Sequence, residues 1–153
     1  MKMQKANWLS LLVFPILFQC QQDQKVEVTT YPNGQISRKT NLVNEKKDGL
    51  MHDFYSDGKL KSIRDFRNDL QHGRSLYYHQ NGKLKEVQHY ENGYLEQFDS
   101  IWNENGQLTT VTEYHKGLKN GKFVKFDTLG RIKFSAAYEM DTLIEVNGIP
   151  MAR

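Results

Sequence analysis

The sequence of 153 residues predicts an all-β protein, an elongated and twisted antiparallel meander of tandem β-hairpins. Three observations predict it. Glycine returns every twenty-four residues, at Gly34, Gly58, Gly82, Gly106 and Gly130, and Asn33, Asp57, Asn81 or Asn105 precedes it in all but the last copy, where Leu129 stands. Apolar residues hold the same phase: Ile36, Leu60, Leu84, Leu108 and Ile132 two residues after the glycine, and Phe54, Tyr78, Trp102 and Phe126 four before it. A second glycine keeps the period at Gly49, Gly73 and Gly121, with Gln97 in its place once. Repetition of this length marks a linear array in which each unit buries its apolar surface against its neighbours.

Taken in order, the chain opens on a segment outside the repeat. Lys2 and Lys5 precede Trp8 to Phe18 (WLSLLVFPILF), an uncharged apolar run. A membrane-spanning helix needs about 20 residues, so the run is short for a span and fits the apolar centre of a secretion signal over 1–19. Cys20, directly after it, is the only cysteine, so it cannot be an internal staple. Residues 20–25 read as a polar tether.

Residues 26–138 carry the array, in about five hairpin copies. Val26 and Val28 alternate with Glu27 and Thr29, as in a half-buried strand. The Asn-Gly and Asp-Gly pairs predict two-residue hairpin turns with both central residues at positive φ. A second turn per copy is expected over Arg67 to Gly73, Glu91 to Gln97 and His115 to Gly121, giving two strands per repeat. In the strand after each Asn-Gly pair, apolar residues are spaced by three, as at Leu60, Ile63 and Phe66. Either a bulge shifts the facing or both faces of the sheet are partly covered. After Tyr138 the pattern decays, and 139–153 reads as a terminal cap.

Charge excludes little but matters for one class. Lys2 and Lys5 are the only charged residues before Cys20, so removing the leader lowers the formal charge from +3 to +1. A chain so near neutrality has no global electrostatic reason to bind nucleic acid.

The search for chemistry finds no catalytic constellation, no metal site and no cofactor motif. His52, His72, His79, His89 and His115 share no repeat phase and no metal-ligand spacing. Two features could form a binding surface. Lys59 and Lys61 recur as Lys83 and Lys85, a basic stripe that either meets an anionic surface or keeps a solvent face soluble. The aromatic ladder of Phe54, Tyr78, Trp102 and Phe126 either offers a groove to a peptide or packs across strands.

Two resemblances add to this reading. Leu17-Phe18-Gln19-Cys20 resembles the lipobox of bacterial lipoproteins, although Gln19 departs from the small residue usual there. That resemblance implies a diacylglycerol on Cys20, hence a membrane anchor and residence in the cell envelope, with the outer membrane as the expected place. Tyr78 to Leu84, and Tyr114 to Gly121 (YHKGLKNG), resemble the MORN repeat, most closely the bacterial variant in proteins described as YwqK-like antitoxins. Asp69 and Asp141 stand where Gly93 and Gly117 hold the same phase, and Gln97 replaces a motif glycine. The resemblance implies a chain of hairpins that contacts protein or lipid and is not an enzyme. The expected function is an envelope-anchored interaction scaffold whose partner is another protein. The alternatives are toxin neutralisation by direct binding, in the cytoplasm or as an envelope immunity protein, and a lipid- or glycan-binding module.

Overall fold

The computed structural model describes residues 23–152; the leader, Cys20 and the lipobox lie outside the described residues. Twelve strands follow one another: β1 (Gln24–Thr30), β2 (Ile36–Val43), β3 (Lys46–Phe54), β4 (Leu60–Arg67), β5 (Leu70–Tyr78), β6 (Leu84–Glu91), β7 (Tyr94–Trp102), β8 (Leu108–His115), β9 (Leu118–Phe126), β10 (Ile132–Glu139), β11 (Thr142–Val146) and β12 (Ile149–Pro150). They form one antiparallel sheet in which each strand pairs only with its neighbours in sequence. This is the meander expected from the repeat. At a strand spacing of about 4.8 Å, twelve strands reach roughly 50 Å across. The sheet continues through β11 and β12 beyond Tyr138, where the repeat pattern fades.

The turns correct the sequence reading. At Asn33-Gly34, Asp57-Gly58, Asn81-Gly82 and Asn105-Gly106 only the glycine has positive φ, as at Gly34 (83°) and Gly82 (84°). The Gly34 amide donates to the Tyr31 carbonyl, and the Tyr31 amide donates to the Gln35 carbonyl. This is a three-residue loop: a β-turn through Pro32-Asn33 closed by a glycine bulge. The asparagine has a different task from the one expected of it, because its side-chain oxygen accepts the amide two residues on, from Gln35 at 3.1 Å and, at Asn81, from Lys83 at 3.0 Å. Asp57 serves Lys59 in the same way. Pairs with both residues at positive φ occur at the opposite edge, at Asn44-Glu45, Asn68-Asp69, Asn92-Gly93, Lys116-Gly117 and Met140-Asp141, and once more at Asn147-Gly148 between β11 and β12. These are the two-residue turns whose twist suits a hairpin.

The second glycine is also displaced from its expected role. The turn at Asn68-Asp69 ends before Leu70, so Gly73 lies inside β5, not in a turn. There the register steps by two: Arg64 opposes Ser75, then Phe66 opposes Gln71. Gly73 takes φ 83° within that bulge, and a Cβ on it would sit 3.2 Å from the Asp65 carboxylate. Gly121 is tighter still, with the Glu113 carboxylate folded over it to accept the Lys122 amide at 2.9 Å.

Bulges explain the three-residue spacing. The register slips by one where Asp53 opposes Ser62 and Phe54 opposes Leu60, leaving Lys61 as the extra residue. The same slip recurs between Tyr77 and Tyr78, and between Ile101 and Trp102. Lys61 and Ser62 therefore share a face, Leu60 and Ile63 fall on the other, and Phe66 returns to the face of Ser62. Both sequence-level explanations hold together: one bulge, and two partly covered faces.

Those faces differ in chemistry. On one, cross-strand pairs link Thr40 to Met51, Asp53 to Ser62, Arg64 to Ser75, Tyr77 to Glu86, and Asp99 to Thr112. All the residues buried among those described, Thr40, Leu42, Met51, Asp53, Ser62, Phe66, Ser75, Asp99, Thr112 and Ala136, lie on this face. The two most buried of them, Ser62 and Ser75, stand opposite Tyr77 and Arg64 on the adjacent strand. The opposite face carries a row in direct register, Ile63–Leu76–Val87–Ser100–Val111–Val124, aliphatic except at Ser100, with each member half-buried. No second layer covers that row among the described residues.

Contacts at the strand ends lock successive repeats. The Tyr31 hydroxyl donates to the Phe54 carbonyl at 2.8 Å, the Tyr55 hydroxyl donates to the Tyr78 carbonyl at 2.7 Å, and His79 Nε2 lies 2.8 Å from the Trp102 carbonyl. At the other edge the amides of Asp69, Gly93, Gly117 and Asp141 donate to the carbonyls of Lys47, Gln71, Leu95 and Lys119. The two aspartates that replace glycine have a use. Asp69 and Asp141 hold φ at 69° and 67°, and their carboxylates accept the Lys47 and Lys119 amides.

Candidate functional site

The aromatic ladder ends alternate strands. Phe54, Tyr78, Trp102 and Phe126 close β3, β5, β7 and β9, and stand opposite Leu60, Leu84, Leu108 and Ile132. They lie two strands apart, about 9.6 Å, so a leucine or isoleucine separates each from the next. Phe54 stacks on His52 with ring centroids 6.5 Å apart. The ladder lies beside the aliphatic row on the same face and widens it into one apolar strip. Leu50 and Phe98, on the same face, are exposed.

The four lysines are exposed but do not share one line. Lys59 and Lys83 belong to the loops: Lys59 Nζ lies 3.3 Å from the Asp57 carboxylate, and Lys83 Nζ donates to the Asn105 carbonyl at 3.0 Å. Lys61 and Lys85 are the bulge residues of β4 and β6, and Lys61 Nζ sits 5.8 Å from the centre of the Tyr55 ring. The glycines Gly34, Gly58, Gly82, Gly106 and Gly130 all sit at positive φ in the loops at that edge. The four aromatics and the two bulge lysines therefore emerge on different faces near one edge.

Periodicity did not reveal the buried charges on the polar face. Asp53 receives Arg38 Nε at 2.6 Å, Ser62 Oγ at 2.7 Å and Arg64 Nη2. Burial opposes its ionisation, but the hydrogen bonds from Arg38, Ser62 and Arg64 outweigh that cost and hold its pKa below the usual carboxylate range. Four strands further on, Asp99 behaves oppositely. It is only 8% exposed, one carboxylate oxygen has no partner, and Glu86 adds like charge nearby. Burial first and Glu86 second push its pKa up to about 6, against a smaller pull from Gln88. Gln88 donates to Glu86 at 2.7 Å and accepts from the Tyr90 hydroxyl at 3.0 Å. Burial also raises the pKa values of Tyr77, Tyr90 and Tyr114.

The signal that could have found the Asp53 cluster is register, not spacing. Arg38, Asp53 and Arg64 become neighbours only when the two-residue step in β3 and the one-residue slip at Lys61 are included. Among the described residues, no group of three or more His, Cys, Asp or Glu side chains could hold a metal ion.

Comparison with known proteins agrees with the geometry over part of the chain. Residues 47–68 and 71–92 match the family described as MORN repeat variant. Each match spans one hairpin, β3–β4 or β5–β6, with the Asp57-Gly58 or Asn81-Gly82 loop at its centre. These two adjacent units are MORN-variant repeats, and MORN repeats in general mediate contact with proteins or membranes. No curated protein matches the chain.

Proposed function

We propose that this chain is a non-enzymatic interaction scaffold, anchored to the bacterial envelope through lipid on Cys20, whose apolar strip receives another envelope protein. The observation that carries the reading is the strip itself. The row Ile63–Leu76–Val87–Ser100–Val111–Val124, aliphatic except at Ser100 and flanked by Phe54, Tyr78, Trp102 and Phe126, stays half-exposed on a sheet one layer thick. A contiguous apolar surface of this kind marks a contact site in a soluble domain. The lipobox-like Leu17 to Cys20 supports the anchor, and two or three acyl chains would hold it firmly, at about 0.8 kcal/mol per buried CH₂.

The first test is the intact mass of the protein from native bacterial membranes, beside Cys20→Ala. The expected species begins at Cys20 and carries acyl mass that the variant lacks. An unmodified full-length chain in the cytosol would remove the anchor and move toxin neutralisation to first place. A second test uses Trp102→Ala. An unchanged strand signature with loss of partner binding supports the strip as a docking face. Local unfolding, costing about 2 kcal/mol for a half-buried aromatic, would reduce the ladder to packing.

A further inference from the structure

We infer that the groove beside Asp53 is a binding site for a small oxyanion, a phosphate, sulfate or carboxylate group. The groove encloses about 460 Å³, and Arg38, Asp53, Lys61, Ser62, Arg64 and Tyr77 are among the residues that line it. Arg38, Lys61 and Arg64 face a single lining carboxylate, that of Asp53, which leaves two positive charges in excess. Asp53 does not saturate the guanidiniums. Arg38 reaches it through Nε and keeps nearly half its side chain exposed, so its terminal amino groups remain open to the groove. Arg64 reaches it through Nη2, and its buried Nε has no partner. Guanidinium donors match the planar oxygens of carboxylates and phosphates, and Lys61 supplies a mobile point charge at the rim.

The repeat supplies its own comparison. One copy further along, the positions of Arg38, Asp53 and Arg64 hold Ser62, Tyr77 and Gln88, while Lys61 is matched by Lys85. Lys61 belongs to the repeat, whereas Arg38, Asp53 and Arg64 break it and touch one another, so the next copy has the lysine without the guanidiniums. Asp53 holds Arg64 and Arg38 in place, as a buried partner should, without occupying the open side of the groove. The site lies on the polar face, opposite the apolar strip, and stands or falls independently of the scaffold reading.

The test is a titration of the whole protein with inorganic phosphate, sulfate and acetate, followed through the Arg side-chain N–H resonances. The same protein is then compared as Arg38→Gln/Lys61→Gln and as Lys83→Gln/Lys85→Gln. Both doubles remove two charges, and neither breaks the Asp53–Arg64 pair. Saturable binding that weakens about tenfold or more in the first double and stays nearly unchanged in the second supports the site, this being the loss expected when a charge-assisted hydrogen bond is removed. Equal weakening in both doubles would mean general electrostatics and overturn it. So would no saturable binding of any of the three anions. Vesicles of phosphatidylglycerol are the last arm. Binding to them without binding of free anions would also overturn the proposal, in favour of a charged membrane surface.

Discussion

Asp99 offers the sharpest test of the energetics, because its carboxylate is buried without the cations that serve Asp53. Asp99→Asn keeps the shape and removes the charge. With the folded pKa near 6 and an unfolded value near 3.8, the ionised form costs the fold about 3 kcal/mol at pH 8 and about 0.5 kcal/mol at pH 4. The sign follows from the raised pKa: the folded state binds the proton more tightly, so stability is greatest below pH 4 as far as this group is concerned and is lost as pH rises through 6. The variant should therefore unfold at higher urea than the parent at pH 8, with the difference shrinking towards acid. The assay is urea unfolding at several pH values, read by circular dichroism and by tryptophan fluorescence, since Trp102 lies on the same strand. A parent whose stability does not fall between pH 5 and 8, together with a variant that gains nothing at pH 8, would refute the account of Asp99 as a buried, uncompensated acid.

The remaining predictions concern the devices that hold the array. Asp53→Asn should destabilise by about 3 kcal/mol, because it strands the largely buried Arg64 guanidinium, and the same urea assay reads it. The pH dependence that Asp53 confers has the opposite sign to that of Asp99, being fully present above its unfolded pKa and lost as pH falls through its lowered folded value. Tyr55→Phe removes the 2.7 Å bond to the Tyr78 carbonyl and should cost about 1 kcal/mol, with faster amide exchange confined to the two adjoining hairpins. Gln97→Gly should stabilise by about 0.5–1 kcal/mol, because Gln97 holds φ at 61° where Gly49, Gly73 and Gly121 occupy the same phase. A lower melting temperature for Gln97→Gly would mean that the glutamine side chain contributes more than its backbone strain costs.

The sequence alone determined the architecture. A twenty-four-residue period of glycine, apolar and aromatic positions admits one economical arrangement, hairpins laid side by side, and the twelve-stranded meander is that arrangement. It also showed that something unusual lay in the strand after each Asn-Gly pair, since a spacing of three cannot belong to a flat strand with one buried face. Asp69 and Asp141 were legible as standing in the phase of Gly93 and Gly117, and both adopt the left-handed backbone of those glycines.

Only the tertiary structure decided the turn chemistry and the register. Asn-Gly fits a two-residue turn and a three-residue loop almost equally well, and the choice depends on which neighbouring amides the asparagine can serve. Gly73 reads as part of a turn until the pairing shows that a two-residue step has moved it into the strand. The same steps bring Arg38 and Arg64 to Asp53 and leave Asp99 without a cation. Periodic residues announce themselves because each repeat needs them. Residues that break the period acquire meaning only from their cross-strand neighbours, and bulges of one or two residues set those neighbours in a way that spacing along the chain does not carry.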